Sequence, residues 1–254
     1  MNFESTTEPR PLGGSIRFEE GDFHALEDRL AGDPQFNDRR LVTRRKLLAL
    51  AKRAKADIAA STGLALDVRS SLHHPHAFNH NKVGRLWSSL FRVKAEKSRL
   101  KKTLGADLAK DLDSAHKNAG LTLSLQPDAL RVAFEIGPEA WYDGQNMKKR
   151  IAAEGLEAWR QLLDELDGFR LRMHDWKGEW RCGDLSLDRL TEYLGYYVPG
   201  EHRLAVERTW PATGPARAAA CSEGVADVLL AELQRLVPLY RFSAWSKESD
   251  FLFA

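Results

Sequence analysis

The stretch LTLSLQPDALRVAFEIG, residues 121–137, constrains the fold more than any other part of the 254-residue chain. Apolar side chains alternate on both sides of Gln126-Pro127-Asp128: Leu121, Leu123 and Leu125 share one face, and Leu130, Val132, Phe134 and Ile136 share another. Successive side chains of a strand point to opposite sides, so a period of two reads as strand. Pro127 presets φ and Asp128 supplies a turn-forming carboxylate, which together make a β-hairpin. After Gly137-Pro138 the period lengthens. Met147, Ile151, Leu156, Trp159, Leu162, Leu163 and Leu166 then mark a helix that follows directly on the hairpin.

The rest of the chain reads as elements around that unit. Residues 1–15 are polar with Pro and Gly, a flexible tail. Residues 16–62 form a helical N-terminal subregion: a short strand, a helix capped by Asp22, a break at Gly32-Asp33-Pro34, and a long helix over 38–61 that ends near Gly63. Leu64–Val68 is strand-like, and 70–82 is a polar loop around Pro75. RLWSSLFRV fits both periods but reads better as strand, because Trp, Phe and Val favour sheets and a Gly precedes the run. A helix is expected over 94–118, a further sheet region from Gly168 with a turn at Lys177-Gly178, and a short helix over 185–194 with Ser186 at its cap. A strand over 202–210 and an amphipathic helix over 216–239 follow, and residues 241–253 add a last strand or lie along the surface. Hairpin-linked strands flanked by helices define an α+β fold, with one antiparallel sheet and helices packed on it as a single domain over 16–254.

Charge is informative through its distribution. The net charge is only +2, yet residues 39–55 carry eight Lys/Arg and no acid, and residues 82–102 carry eight more against Glu96 alone. Those two stretches hold +15 and the remainder −13, a segregation that creates a local field. No apolar run approaches the ~20 residues of a membrane span, and the start of the chain lacks the apolar core of a signal peptide. Cys182 and Cys221 stand alone without CxxC spacing, which fits a cytoplasmic protein.

The segments HHPHAFNHNKVGRLW, LSLQPDALRVAFEIG and HRLAVERTW, in that order, resemble the YktB-like superfamily of uncharacterised bacterial α+β proteins. There, a His- and Pro-bearing loop precedes a Trp strand, a hairpin, a helix and a further antiparallel pair. The resemblance implies one sheet-centred domain and no activity, and residues 94–118 read as an insertion relative to it.

Two groups of residues are candidates for function. The first is basic and aromatic: Arg44, Arg45 and Lys52 from one stretch, with Arg85, Trp87, Phe91, Arg92, Lys94, Arg99, Lys101 and Lys102 from the other. Lys and Arg neutralise phosphates while aromatic faces stack on bases, so this set points to nucleic acid or another polyanion. The second is the loop carrying His73, His74, His76 and His80. In it His74, His76 and His80 offer imidazole ligands for zinc or another transition metal, as in a metal-dependent enzyme, with Asp67 as a further ligand. Its spacing is not HExxH, and Pro75 breaks a regular helix. Segregated charge also fits a protein–protein adaptor. Pro127-Asp128 with Glu135 echoes a PD-(D/E)xK nuclease, but Gly137 stands where the Lys is needed. Trp141-Tyr142-Asp143-Gly144, with His174, Asp175 and Trp176, offers an aromatic platform for a small ligand.

Overall fold

The computed structural model describes residues 16–253 apart from 79, 106, 108 and 174–179. In chain order the elements are α1 (Glu20–His24), α2 (Asn37–Thr62), β1 (Leu66–Ser70), β2 (Leu86–Arg92), α3 (Lys94–Leu104), β3 (Gly120–Gln126), β4 (Ala129–Ile136), α4 (Trp141–Glu154) and α5 (Leu156–Asp164). They continue with β5 (Arg170–Met173), β6 (Trp180–Arg181), α6 (Leu187–Tyr196), β7 (Leu204–Pro211), α7 (Arg217–Ala220), α8 (Val225–Arg235) and α9 (Val237–Ser243). The strands form one antiparallel sheet in the order β1-β2-β3-β4-β7-β5-β6. The fold is α+β around a single sheet.

The hairpin sits at its centre. Leu125 faces Leu130, Leu123 faces Val132 and Leu121 faces Phe134, so the two leucine-rich rows fall on the same side of the sheet. Leu86, Leu90, Leu204, Val206 and Leu171 extend that side in register. Every strand residue of the main hydrophobic core belongs to this face, and the core is completed by Leu47, Leu50 and Ile58 of α2, Met147 of α4, Leu229 and Leu233 of α8 and Leu239 of α9. The opposite face contributes nothing to that core. This asymmetry positions everything described below.

α2 shows how the sequence builds the frame. Its buried stripe of Leu47, Leu50, Ala51, Ala54 and Ile58 recurs at helical spacing. Gly63, at φ +70°, ends it by adopting the left-handed conformation while its N–H bonds Ala59 O. Arg40 is wholly buried and donates to the carbonyls of Ala25, Leu30, Asp33 and His73 and to Asn37 Oδ1, tying the N-terminal segment and the histidine loop to the helix.

Several expected boundaries differ. Glu19, not Asp22, is the cap of α1. Asp22 lies inside the helix, buried, accepting from Glu19 N at 2.8 Å, Thr43 Oγ1 at 2.7 Å and Lys46 Nζ at 2.7 Å. Residues 16–19 form no strand. The helix expected over 94–118 stops at Leu104, where Gly105 takes φ +86°, and the described residues that follow form turns and a short 3₁₀ segment. The long helix after the hairpin divides at Gly155, with φ +96°. The one expected over 216–239 breaks twice, after Ala220 and at Leu236, where Pro238 has no N–H to continue the ladder. Among the described residues after α9 the last expected strand is replaced by an isolated Ser246–Ser249 bridge. The turn expected at Lys177-Gly178 lies outside the described residues.

Candidate anion-binding face of the sheet

Alternation that sends leucines to the core sends polar groups the other way. On this second face β1 carries Asp67 and Arg69, β2 carries Trp87, Ser89 and Phe91, and β3 carries Gly120, Thr122 and Ser124. β4 adds Arg131 and Glu135, and β7 adds Glu207. Ser89 lies opposite Arg69 on one side and Thr122 on the other, so two depressions adjoin across β2.

The first depression is a basic cleft of about 380 Å³. Lys52 and Lys55 reach it from α2, Arg69 and Asp67 from β1, Phe91 from β2, Lys94 and Lys97 from α3, and Asp113 from the turns that follow. Lys97 is buried, with Nζ 2.9 Å from Asp67 Oδ2, 2.8 Å from Asp113 Oδ1 and 5.2 Å from the Phe91 ring centroid. Burial opposes its charge, but the hydrogen bonds to Asp113 and Asp67 outweigh that and hold the ammonium above the ordinary lysine value. The same bond to Lys97 lowers the Asp113 carboxyl. Lys52, Lys55, Arg69 and Lys94 have no ion pair among the described residues. Lys101 lines an adjoining depression shared with Lys94 and Lys97.

The second depression, of about 290 Å³, is lined by Arg85, Trp87, Ser89, Asn118, Thr122, Glu135 and Arg203, with His116 and Glu139 among its other residues. Glu135 Oε1 accepts from Arg203 at 2.5 Å, from Arg131 at 2.7 Å and from Arg85 at 3.5 Å. Burial raises a carboxyl, but these three guanidiniums outweigh it and hold Glu135 below the usual glutamate value. Arg131 is also paired with Glu207, which accepts from Arg172 at 2.9 Å. Gly120 forms part of the pocket wall, and a Cβ there would stand 2.6 Å from Ser89 Oγ. Absence of that side chain keeps the pocket open.

The remaining residues of the basic set are dispersed. Phe91 and Arg92 are both buried, which corrects their expected place on an exposed surface; of the two only Phe91 lines the cleft. Arg92 faces the core side, where Asp143 and Asn118 hold it. Arg44 donates to Ser71 O at 2.6 Å and its charge is disfavoured by burial. Arg99 pairs with Glu96, Arg39 with Glu19, Lys46 with Asp22, Arg53 with Asp227 and Lys82 with Asp28. Arg45, Lys101 and Lys102 are exposed. Part of the apparent excess is thus neutralised, and of the cations that are not, Lys52, Lys55 and Lys94 meet at the cleft. Sequence reasoning missed Arg69, Glu135 as an arginine clamp, and Arg203. The available signal was the row of polar residues alternating with the hairpin leucines.

The loop histidines pack ring against ring. His74 and His76 ring centroids lie 5.1 Å apart and those of His76 and His80 4.5 Å apart, with His74 Nδ1 accepting the His76 N–H. Among the described residues no three His, Cys, Asp or Glu side chains are placed to hold a metal ion. His73 is held below the ordinary histidine value by burial and then by Arg44. Of the aromatic platform, Tyr142 is buried and Trp141 half-buried, while His174, Asp175 and Trp176 lie outside the described residues. Asp128 sits in the hairpin turn, away from Glu135 at the far end of β4.

No family model matches the chain, and no curated protein shows significant similarity to it.

Proposed function

We propose that this chain is a non-catalytic module that binds an anionic partner, a nucleic acid or another polyanion, along the polar face of its sheet. The observation that carries the reading is the convergence of the two basic stretches: Lys52 and Lys55 of α2 and Lys94 of α3 line one cleft with Arg69, without ion pairs among the described residues. Four cations on a shared wall match a run of phosphates, and half-buried Trp87 on the same face offers a surface on which a base stacks. Lys97, clamped by Asp67 and Asp113, shapes the cleft floor and contributes less free charge. Among the described residues no helix is long and apolar enough to cross a membrane. Unbridged Cys182 and Cys221 fit a cytoplasmic setting.

The test is fluorescence anisotropy with a labelled single-stranded oligonucleotide over a range of salt. Binding that weakens steeply as salt rises, and collapses when Lys52, Lys55, Arg69 and Lys94 are changed to Gln, supports the reading. Salt-independent binding, or none at low salt, removes it.

A further inference from the structure

We infer that the pocket beside the cleft is a site for a small aromatic phosphate monoester, of the size and chemistry of a nucleoside monophosphate. The inference does not rest on the polyanion reading: the pocket shares no lining residue with the cleft, and Trp87 alone figures in both readings.

Charge comes first. Arg131 divides its pairing between Glu135 and Glu207, Glu207 also holds Arg172, and Arg85 and Arg203 share Glu135 with Arg131, so four guanidiniums face two carboxylates. Arg203 spends one nitrogen on Glu135, and Arg85 reaches it only at 3.5 Å. Arg85 Nε is buried and has no hydrogen-bond partner among the described residues. A guanidinium carries five N–H donors in a fixed fork suited to phosphate oxygens, so the pair has both spare charge and spare donors.

The remaining walls fit the other half of the ligand. Trp87 lines the pocket half-buried, so an aromatic ring can lie against it. The hydroxyls of Ser89 and Thr122 stand 3.2 Å apart and each retains capacity for a polar edge. Gly120 keeps this wall flat, because a Cβ would meet Ser89 Oγ. At about 290 Å³ the pocket lies at the small end of the ~300–1,000 Å³ range of ligand sites, which favours one monomer unit over a longer molecule.

Titration calorimetry of the full chain with AMP, adenosine and inorganic phosphate tests this. AMP is expected to saturate at one site per chain, with adenosine and phosphate each about tenfold weaker or worse. Arg203→Gln and Trp87→Ala should each weaken AMP by about tenfold, while a Lys52→Gln/Lys55→Gln variant binds AMP as the parent does. Arg85, the longer contact to Glu135, serves as Arg85→Gln should Arg203→Gln fail to fold. Three results would each overturn the inference: no saturable binding of AMP at millimolar concentration, phosphate binding as tightly as AMP, or AMP affinity that follows the cleft lysines instead of Arg85, Arg203 and Trp87.

Discussion

Arg92 Nη2 lies 2.5 Å from Asp143 Oδ1, with both side chains almost wholly removed from solvent. Arg92 also donates to Asn118 Oδ1 and Trp245 O, and Asp143 accepts the N–H groups of Ala119 and Trp245. One ion pair therefore joins the end of β2, the start of β3, the first turn of α4 and the segment after α9. It is a structural clamp inside a run of surface cations.

Removing one partner strands the other charge in a dry interior. Arg92→Met is expected to cost about 3–5 kcal/mol in urea denaturation. Changing Asp143 to Leu in the same chain should not restore the loss, because the N–H groups of Ala119 and Trp245 would then lack an acceptor. Near-parental stability of Arg92→Met would contradict this role.

Glu135 gives the acid sensitivity a direction. Its folded-state pKa is held below the unfolded value of ~4.3, so its contribution is fully present above that value and is lost as pH falls through the folded one. Glu135→Gln should lower stability at neutral pH by on the order of 2 kcal/mol, since charge-assisted hydrogen bonds from arginines are lost. The deficit should shrink as pH falls below the unfolded value and the parent carboxylate also protonates. Urea midpoints across pH read it directly. A deficit that grows on acidification would refute it.

Two helical glycines should respond in opposite ways to alanine. In α4, a Cβ on Gly144 would stand 2.5 Å from Tyr197 Oη and 3.0 Å from Pro199 Cβ, so Gly144→Ala should destabilise by about 1–3 kcal/mol through overpacking. In α6, Gly195 is exposed and has nothing within 4 Å of its Cβ position. Gly195→Ala should stabilise by about 0.5–1 kcal/mol, the ordinary helix gain. Thermal melts of the two variants decide it.

The hairpin was legible because alternation of Leu, Val and Phe reports the strand and its buried side at once, and β2 followed from its β-favouring Trp, Phe and Val. Helix ends were less legible. The breaks at Gly105, Gly155 and Leu236 depend on left-handed glycines and on Pro238, and a helical apolar period runs through all three. The sites were hardest, since the role of a cation is set by partners distant in sequence. Arg92 and Lys94 are near neighbours in one basic run, yet the first meets Asp143 in the core and the second meets the cleft. Arg203 was invisible for the same reason, because Glu135 lies 68 positions away.

The most direct measurement is the salt slope of oligonucleotide binding, compared between the parent chain, a cleft variant (Lys52, Lys55, Arg69 and Lys94 to Gln) and a control in which Arg99, already paired with Glu96, becomes Gln. For a single strand each phosphate contact contributes about 0.7 to the slope of log affinity against log salt. The parent should show a slope near −3, the cleft variant a slope near zero with little residual binding, and the control the parent's slope. Equal slopes in all three proteins would place the anion elsewhere or nowhere on this chain.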